Sequence, residues 1–325
     1  MEIVTETSIE NKKALKKQFV RVGANLLFRE VVLVIAEIMV GIVFAVYFTI
    51  KNNGLDNGNI EDVIEQLMIN PFVSIIPILI GFIPVMHFMK KNIGKERIFN
   101  KNKKFTIKNV IILFILLLGL NYLCGIVSIV MESGLNVIGF TMSESEDILK
   151  SFNSPSMLIY IGVVAPVVEE LIYRGMVLRF LDKFDKGLAI VGSGVLFGLM
   201  HGNFYQIFMA VGIGILLGYI AEEYSIKLTI ILHMANNIFS FLADRLIEKV
   251  NVYSTISGDI LSGIIMVIAV FILVITVIRN FQKVKSEFVR YTPKKQMCKY
   301  FFTSLSVILL IFINLLEACS QISKL

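Results

Sequence analysis

From Ile111 to Met131 the chain carries no charged residue, and from Val31 to Ile50 it carries only Glu37. About 20 consecutive apolar residues suffice to cross the hydrocarbon core of a bilayer as a helix, which satisfies its own backbone hydrogen bonds there. A chain with such segments organises around the membrane rather than around an aqueous core. Composition agrees, since 56% of the 325 residues are apolar and only 17% charged, against about a quarter charged in soluble domains. Disordered, collagen-like and disulfide-scaffold classes are excluded. Nine segments read as spans, at 31–50, 71–89, 110–131, 157–180, 187–203, 205–221, 227–243, 260–278 and 300–316, the last being the weakest. The expected fold is all-α: a polytopic membrane protein of about eight to nine transmembrane helices. The expected divisions are an N-terminal cytoplasmic segment (1–30), N-terminal membrane helices (31–150), a core (151–250) and C-terminal membrane helices (251–325). The first apolar run starts too late and is too long for a signal peptide.

The net charge of +6 is distributed by loop. The N-terminal segment has six Lys and Arg, 90–108 has eight and 279–299 has seven, whereas 51–70 and 132–155 have one each against four acidic residues each. Basic residues are retained on the cytoplasmic side. The alternation therefore predicts an integral membrane protein with a cytoplasmic N-terminus and its C-terminus outside; the membrane is expected to be a bacterial cell membrane. Basic residues do not interleave with aromatics as a stacking platform requires, so nucleic acid is not an expected partner. The lipid bilayer is. Cys124, Cys298 and Cys319 form no C-x-x-C, which implies neither a disulfide framework nor a zinc knuckle.

Charges in the wrong place mark the candidate site. In the fourth span, Pro166-Val167-Val168-Glu169-Glu170-Leu171-Ile172-Tyr173-Arg174 puts three ionisable groups into an apolar helix. Each costs ~2.5–3.5 kcal/mol at a helix centre on insertion scales, so such residues mark function. Glu170 and Arg174, at i and i+4, can neutralise one another. Glu169 points ~100° away and has no local basic partner. Pro166 is expected to kink the helix and free the Gly162 carbonyl. Two of the three histidines lie in the next segments, His201 four residues after Phe197 and His233 four before Asn237. With turns near 184 and 224 and a rise of ~1.5 Å per residue, Glu169, His201, His233 and Asn237 lie ~22, ~25, ~14 and ~20 Å from the turn plane, one band near mid-membrane. Gly194, Gly198 and Gly202 repeat at i+4, as do Gly214 and Gly218, a small-xxx-small pattern for close helix packing.

A carboxylate beside an imidazole can deprotonate a water, and a second His with an Asn amide can donate to an oxyanion, which points to hydrolysis of an acyl bond, a peptide bond first. H-E-x-x-H, G-x-G-D and G-x-S-x-G are absent from the sequence. Ser193, flanked by glycines, lies two turns below His201 and is set aside as a nucleophile.

The series E-E-x-x-x-R (Glu169, Glu170, Arg174), F-x-x-x-H (Phe197, His201) and H-x-x-x-N (His233, Asn237) resembles the type II CAAX prenyl endopeptidases, the CAAX protease and bacteriocin-processing family of intramembrane proteases. The resemblance covers about residues 155–245. It implies a helical membrane core in which Glu169 activates water with help from His201, while His233 and Asn237 stabilise the oxyanion. Glu170, Arg174 and Phe197 would support the site, and the substrate would be a membrane-associated peptide or protein. A metal-free mechanism is expected; the alternative is zinc held by Glu169, His201 and His233. Two other classes stay open: a non-catalytic membrane immunity or peptide-binding protein of the same fold, and a transporter using Glu169 as a proton relay.

Overall fold

The computed structural model describes residues 6–51, 57–142, 154–253 and 255–325. The loops 51–70 and 132–155 of the charge count therefore lie partly outside the described residues. Thirteen helices account for nearly all of what is described. They are α1 (Glu6–Lys51), α2 (Asn57–Ile69), α3 (Pro71–Asn92), α4 (Lys95–Ile98), α5 (Ile107–Val137), α6 (Pro155–Leu181), α7 (Lys186–Leu199), α8 (Phe204–Glu223), α9 (Ile226–Tyr253), α10 (Thr255–Arg279), α11 (Phe281–Arg290), α12 (Lys295–Phe302) and α13 (Leu305–Ser320). Two short strands, β1 (Phe140–Thr141) and β2 (Ser323–Lys324), pair antiparallel.

All nine apolar segments appear in the expected order, but not all as full spans. Seven helices among the described residues are long and apolar enough to cross a membrane, and α12 with α13, bent by 69°, makes an eighth if counted as one. The segment expected at 187–203 is corrected: α7 has 14 residues, ~21 Å at 1.5 Å per residue against a ~30 Å hydrocarbon core. It ends at a turn whose Gly202 has φ +60°, and Asn203 then caps α8, its side chain accepting from the Gln206 N–H at 2.8 Å. The polar run His201-Gly202-Asn203 marks the break between the two apolar segments, and the helix already ends at Leu199, before it. α1 is one continuous helix from Glu6 to Lys51, so the N-terminal segment runs into the first apolar run without a break.

The loops counted as basic meet at one end of the bundle. There Phe19 packs edge-on to Phe184, Arg21 donates to Asn92, Arg97 pairs with Asp182, Lys103 with Glu223, and Arg179 with Glu222 at 2.9 Å. From this end α12 and α13 carry the chain across. Ser306 bonds the Val20 carbonyl near the start, and past the end of α13 Lys324 lies opposite Phe140. At the centre α7 and α8 touch backbone to backbone. A Cβ on Gly194 would stand 2.7 Å from the Ile215 nitrogen, and one on Gly214 2.9 Å from the Gly194 carbonyl oxygen. Gly194 and Gly198 thus serve the packing expected of them. Gly202 serves the turn instead.

Candidate active site

The helix that carries the two glutamates changes register twice. Within α6, Tyr160–Val164 and Leu171–Leu178 are π-helical and Ala165–Glu170 is α-helical between them. Such wide turns occur frequently at functional sites. In an α register the N–H missing at Pro166 would orphan the carbonyl of Gly162, as the sequence suggests; in the π register the orphan lies five residues back, at Ile161. The Asn237 amide donates to the Ile161 carbonyl at 3.0 Å. One of its two N–H groups is thereby committed to mending the helix that Pro166 interrupts. The other has no hydrogen-bond partner among the described residues.

Glu170 and Arg174 are fully buried, with Arg174 Nη1 2.9 Å from Glu170 Oε1. Arg174 Nη2 donates to the Gly214 carbonyl at 3.0 Å, and its guanidinium lies 4.5 Å from the centroid of Phe197. His233, from α9, stands between the two glutamates: Nδ1 is 3.0 Å from Glu170 Oε1 and Nε2 is 3.7 Å from Glu169 Oε2. A carboxylate that already receives Arg174 is an acceptor, so Nδ1 carries a proton and Nε2 is the atom facing Glu169. The glutamates differ in access. The Glu169 side chain is 13% exposed and that of Glu170 is 0%.

Phe197 is the hub on which the aromatic groups converge. His201, His233 and Tyr173 all meet its ring edge-on, at 5.2, 5.6 and 5.4 Å. His201 sits past the end of α7, in the turn, and its Nδ1 contacts the Phe197 carbonyl at 3.0 Å. A carbonyl only accepts, so Nδ1 donates, and a neutral ring then presents the lone pair of Nε2. The turn is held from both sides. Asn203 donates to the His201 carbonyl at 2.8 Å, and Gln321, beyond α13, donates to the Gly202 carbonyl at 3.0 Å. The Glu317 carboxylate fills the space a Gly202 side chain would need, its carbon 2.5 Å from where that Cβ would be.

The arrangement thus brings together Glu169, Glu170, Arg174, Phe197, His201 and His233, with Asn237 of α9 bonded to the preceding turn of α6 at Ile161. Sequence reasoning missed Arg29, Glu30 and Glu317. Arg29 is buried on α1, where Nη1 bonds Glu30 at 2.6 Å, Nε has no partner, and Glu169 and Tyr173 lie within electrostatic reach. The signal for all three was the one that exposed Glu169: an ionisable group within or beside an apolar run. Ser193 is buried and turned back onto the Ile190 carbonyl at 3.2 Å. His87 is exposed on α3, beside Asn25. Among the described residues no three His, Cys, Asp or Glu side chains are grouped so as to hold a metal ion.

Fold and site together define a polytopic helical membrane protein with a buried Glu–His–Arg network between its helices. Residues 151–239 match the family model described as type II CAAX prenyl endopeptidase Rce1-like, a protease family. That stretch holds every motif residue named above and excludes α1 and α13. No curated protein and no solved structure matches the chain.

Proposed function

We propose that this protein is an intramembrane endopeptidase that hydrolyses peptide bonds of membrane-associated peptides or proteins with water activated by Glu169, without a metal. The observation that carries the reading is His233 held between the two carboxylates, which gives them different tasks. Glu170 holds Arg174 and His233 Nδ1 on one oxygen, Oε1, and its side chain is fully buried. Glu169 has one close imidazole, at 3.7 Å, and is reachable.

A water bound at Glu169 gives its proton to the carboxylate as its oxygen attacks the carbonyl carbon, and the C=O electron pair moves to the oxygen. With both its nitrogens protonated, His233 keeps Nδ1–H on Glu170 and offers Nε2–H to that oxyanion, joined by the free N–H of Asn237. His201 Nε2, its lone pair fixed by the Nδ1 bond to Phe197, orients the water. Collapse breaks the C–N bond, and Glu169 returns its proton to the leaving amine. The N-terminus lies on the cytoplasmic side, where basic loops are retained.

Glu169→Gln keeps size and hydrogen bonding but cannot take a proton. It is expected to abolish cleavage of a membrane-tethered peptide library in reconstituted bilayers without lowering folding yield. Full activity of this variant would remove Glu169 from the base role.

A further inference from the structure

The span α10 ends at Arg279, and after Asn280 the chain enters α11, none of whose residues is buried. At ~100° per residue, Phe281, Val284 and Phe288 fall on one side of this helix, and Lys283, Glu287 and Arg290 on the other. The polar side is tied to the protein. Arg290 Nη1 lies 3.1 Å from Glu223 and 3.4 Å from Glu287, and the Tyr291 hydroxyl donates to Glu223 at 2.5 Å. Just beyond, Pro293 closes over Gly187 at the start of α7, where a Cβ would stand 2.6 Å from the proline nitrogen. The helix therefore cannot roll to hide its other side. Phe281 remains 56% and Phe288 76% exposed, and Val284 is exposed between them.

Charge says what covers that side. From Arg279 to Lys295 there are six basic residues (Arg279, Lys283, Lys285, Arg290, Lys294, Lys295) against one acidic, Glu287, and Glu287 faces Arg290. A short helix with an apolar side, a basic remainder and a start one residue beyond a membrane span has the pattern of an interfacial helix. We propose that α11 docks on the anionic headgroup surface of the same bilayer. Phe281, Val284 and Phe288 enter the acyl boundary, Lys285 at the edge of that side reaches up to phosphate, and Lys283 adds to the attraction. The inference rests on the membrane architecture alone and not on proteolysis.

The chain contains no tryptophan, so Phe288→Trp gives the full-length protein a single tryptophan, excited apart from the tyrosines, on the docking side. In nanodiscs of phosphatidylcholine mixed with phosphatidylglycerol, its emission is expected to be blue-shifted, quenched by brominated acyl chains and shielded from iodide. Phosphatidylcholine alone should reduce the bromolipid quenching. Lys283→Gln with Lys285→Gln in the same background should remove the phosphatidylglycerol advantage, roughly five-fold per lysine in the ratio of docked to undocked helix. Red emission open to iodide and untouched by bromolipid overturns the docking. Quenching identical in the two lipid mixtures overturns the choice of anionic headgroups. Phe281→Trp, on the same side, repeats the measurement if Phe288→Trp folds poorly.

Discussion

Arg174→Met tests whether the buried network holds the site together. The substitution keeps much of the side chain's bulk and removes its charge. Breaking a buried pair from one side costs ~3–5 kcal/mol, because the remaining charge is left uncompensated, here on Glu170. The low end applies. Arg174 Nε already lacks a partner, so the native pair is incompletely satisfied, and His233 Nδ1 stays on Glu170 at 3.0 Å. Loss of the guanidinium over Phe197 adds ~0.5–2 kcal/mol, and the Gly214 carbonyl loses its donor. A destabilisation of ~4 kcal/mol is expected for Arg174→Met. The double variant Glu170→Gln/Arg174→Met leaves no orphan charge, and its cost should fall below the sum of the singles by ~2–3 kcal/mol, the upper range of coupling for contacting residues. Denaturation in mixed micelles measures all four corners of this cycle. Cys124, Cys298 and Cys319 are free and serve as thiol-dye reporters. Additive singles would mean that Glu170 and Arg174 do not act on one another, and the account of Glu170 as a neutralised support would fall.

Two further substitutions or treatments follow from the same geometry. Gly202→Ala must place a side chain at φ +60° and against the Glu317 carboxylate; it should cost ~1–3 kcal/mol and displace His201, lowering kcat more than it raises KM, and unchanged kinetics would show that the turn tolerates movement. Exhaustive EDTA and phenanthroline treatment should leave proteolysis intact, whereas inactivation reversed by zinc alone, with one equivalent of bound metal by mass spectrometry, would move Glu169, His201 and His233 into a ligand set.

The apolar runs gave the order of all nine segments, because hydropathy over ~20 residues reports what a bilayer selects. They could not report where a helix turns inside protein. The segment expected at 187–203 is accordingly shorter than a full span: Gly187 lies in the first turn of a 14-residue helix, and His201 lies beyond its end. The grouping of Glu169 with His233 was legible as a common depth along consecutive helices. The register of α6 was not, since the identity of the orphan carbonyl depends on whether Pro166 sits in an α or a π turn, a difference of one residue between Gly162 and Ile161. Arg29 and Glu317 were visible as charges beside apolar runs, but their relation to Glu169 and Gly202 arises from tertiary contacts that no local pattern encodes.

Those contacts bear on how much of the chain the site requires. Residues 151–239 contain both glutamates, both histidines, Arg174, Phe197 and Asn237, yet the turn that aims His201 is fastened from outside that stretch by Gln321 and closed over by Glu317. Arg29, also outside it, places a buried cation within reach of Glu169. The matched segment therefore supplies the motif residues, while α1 and α13 supply the wall against which two of them are held. α13 is in turn seated on α1, where Ser306 bonds the Val20 carbonyl at 2.9 Å and occupies the space beside Gly23. Movement of that pair would reach His201 through the Gly202 carbonyl, so the first and last membrane helices belong to the site as much as the helices that carry its motifs.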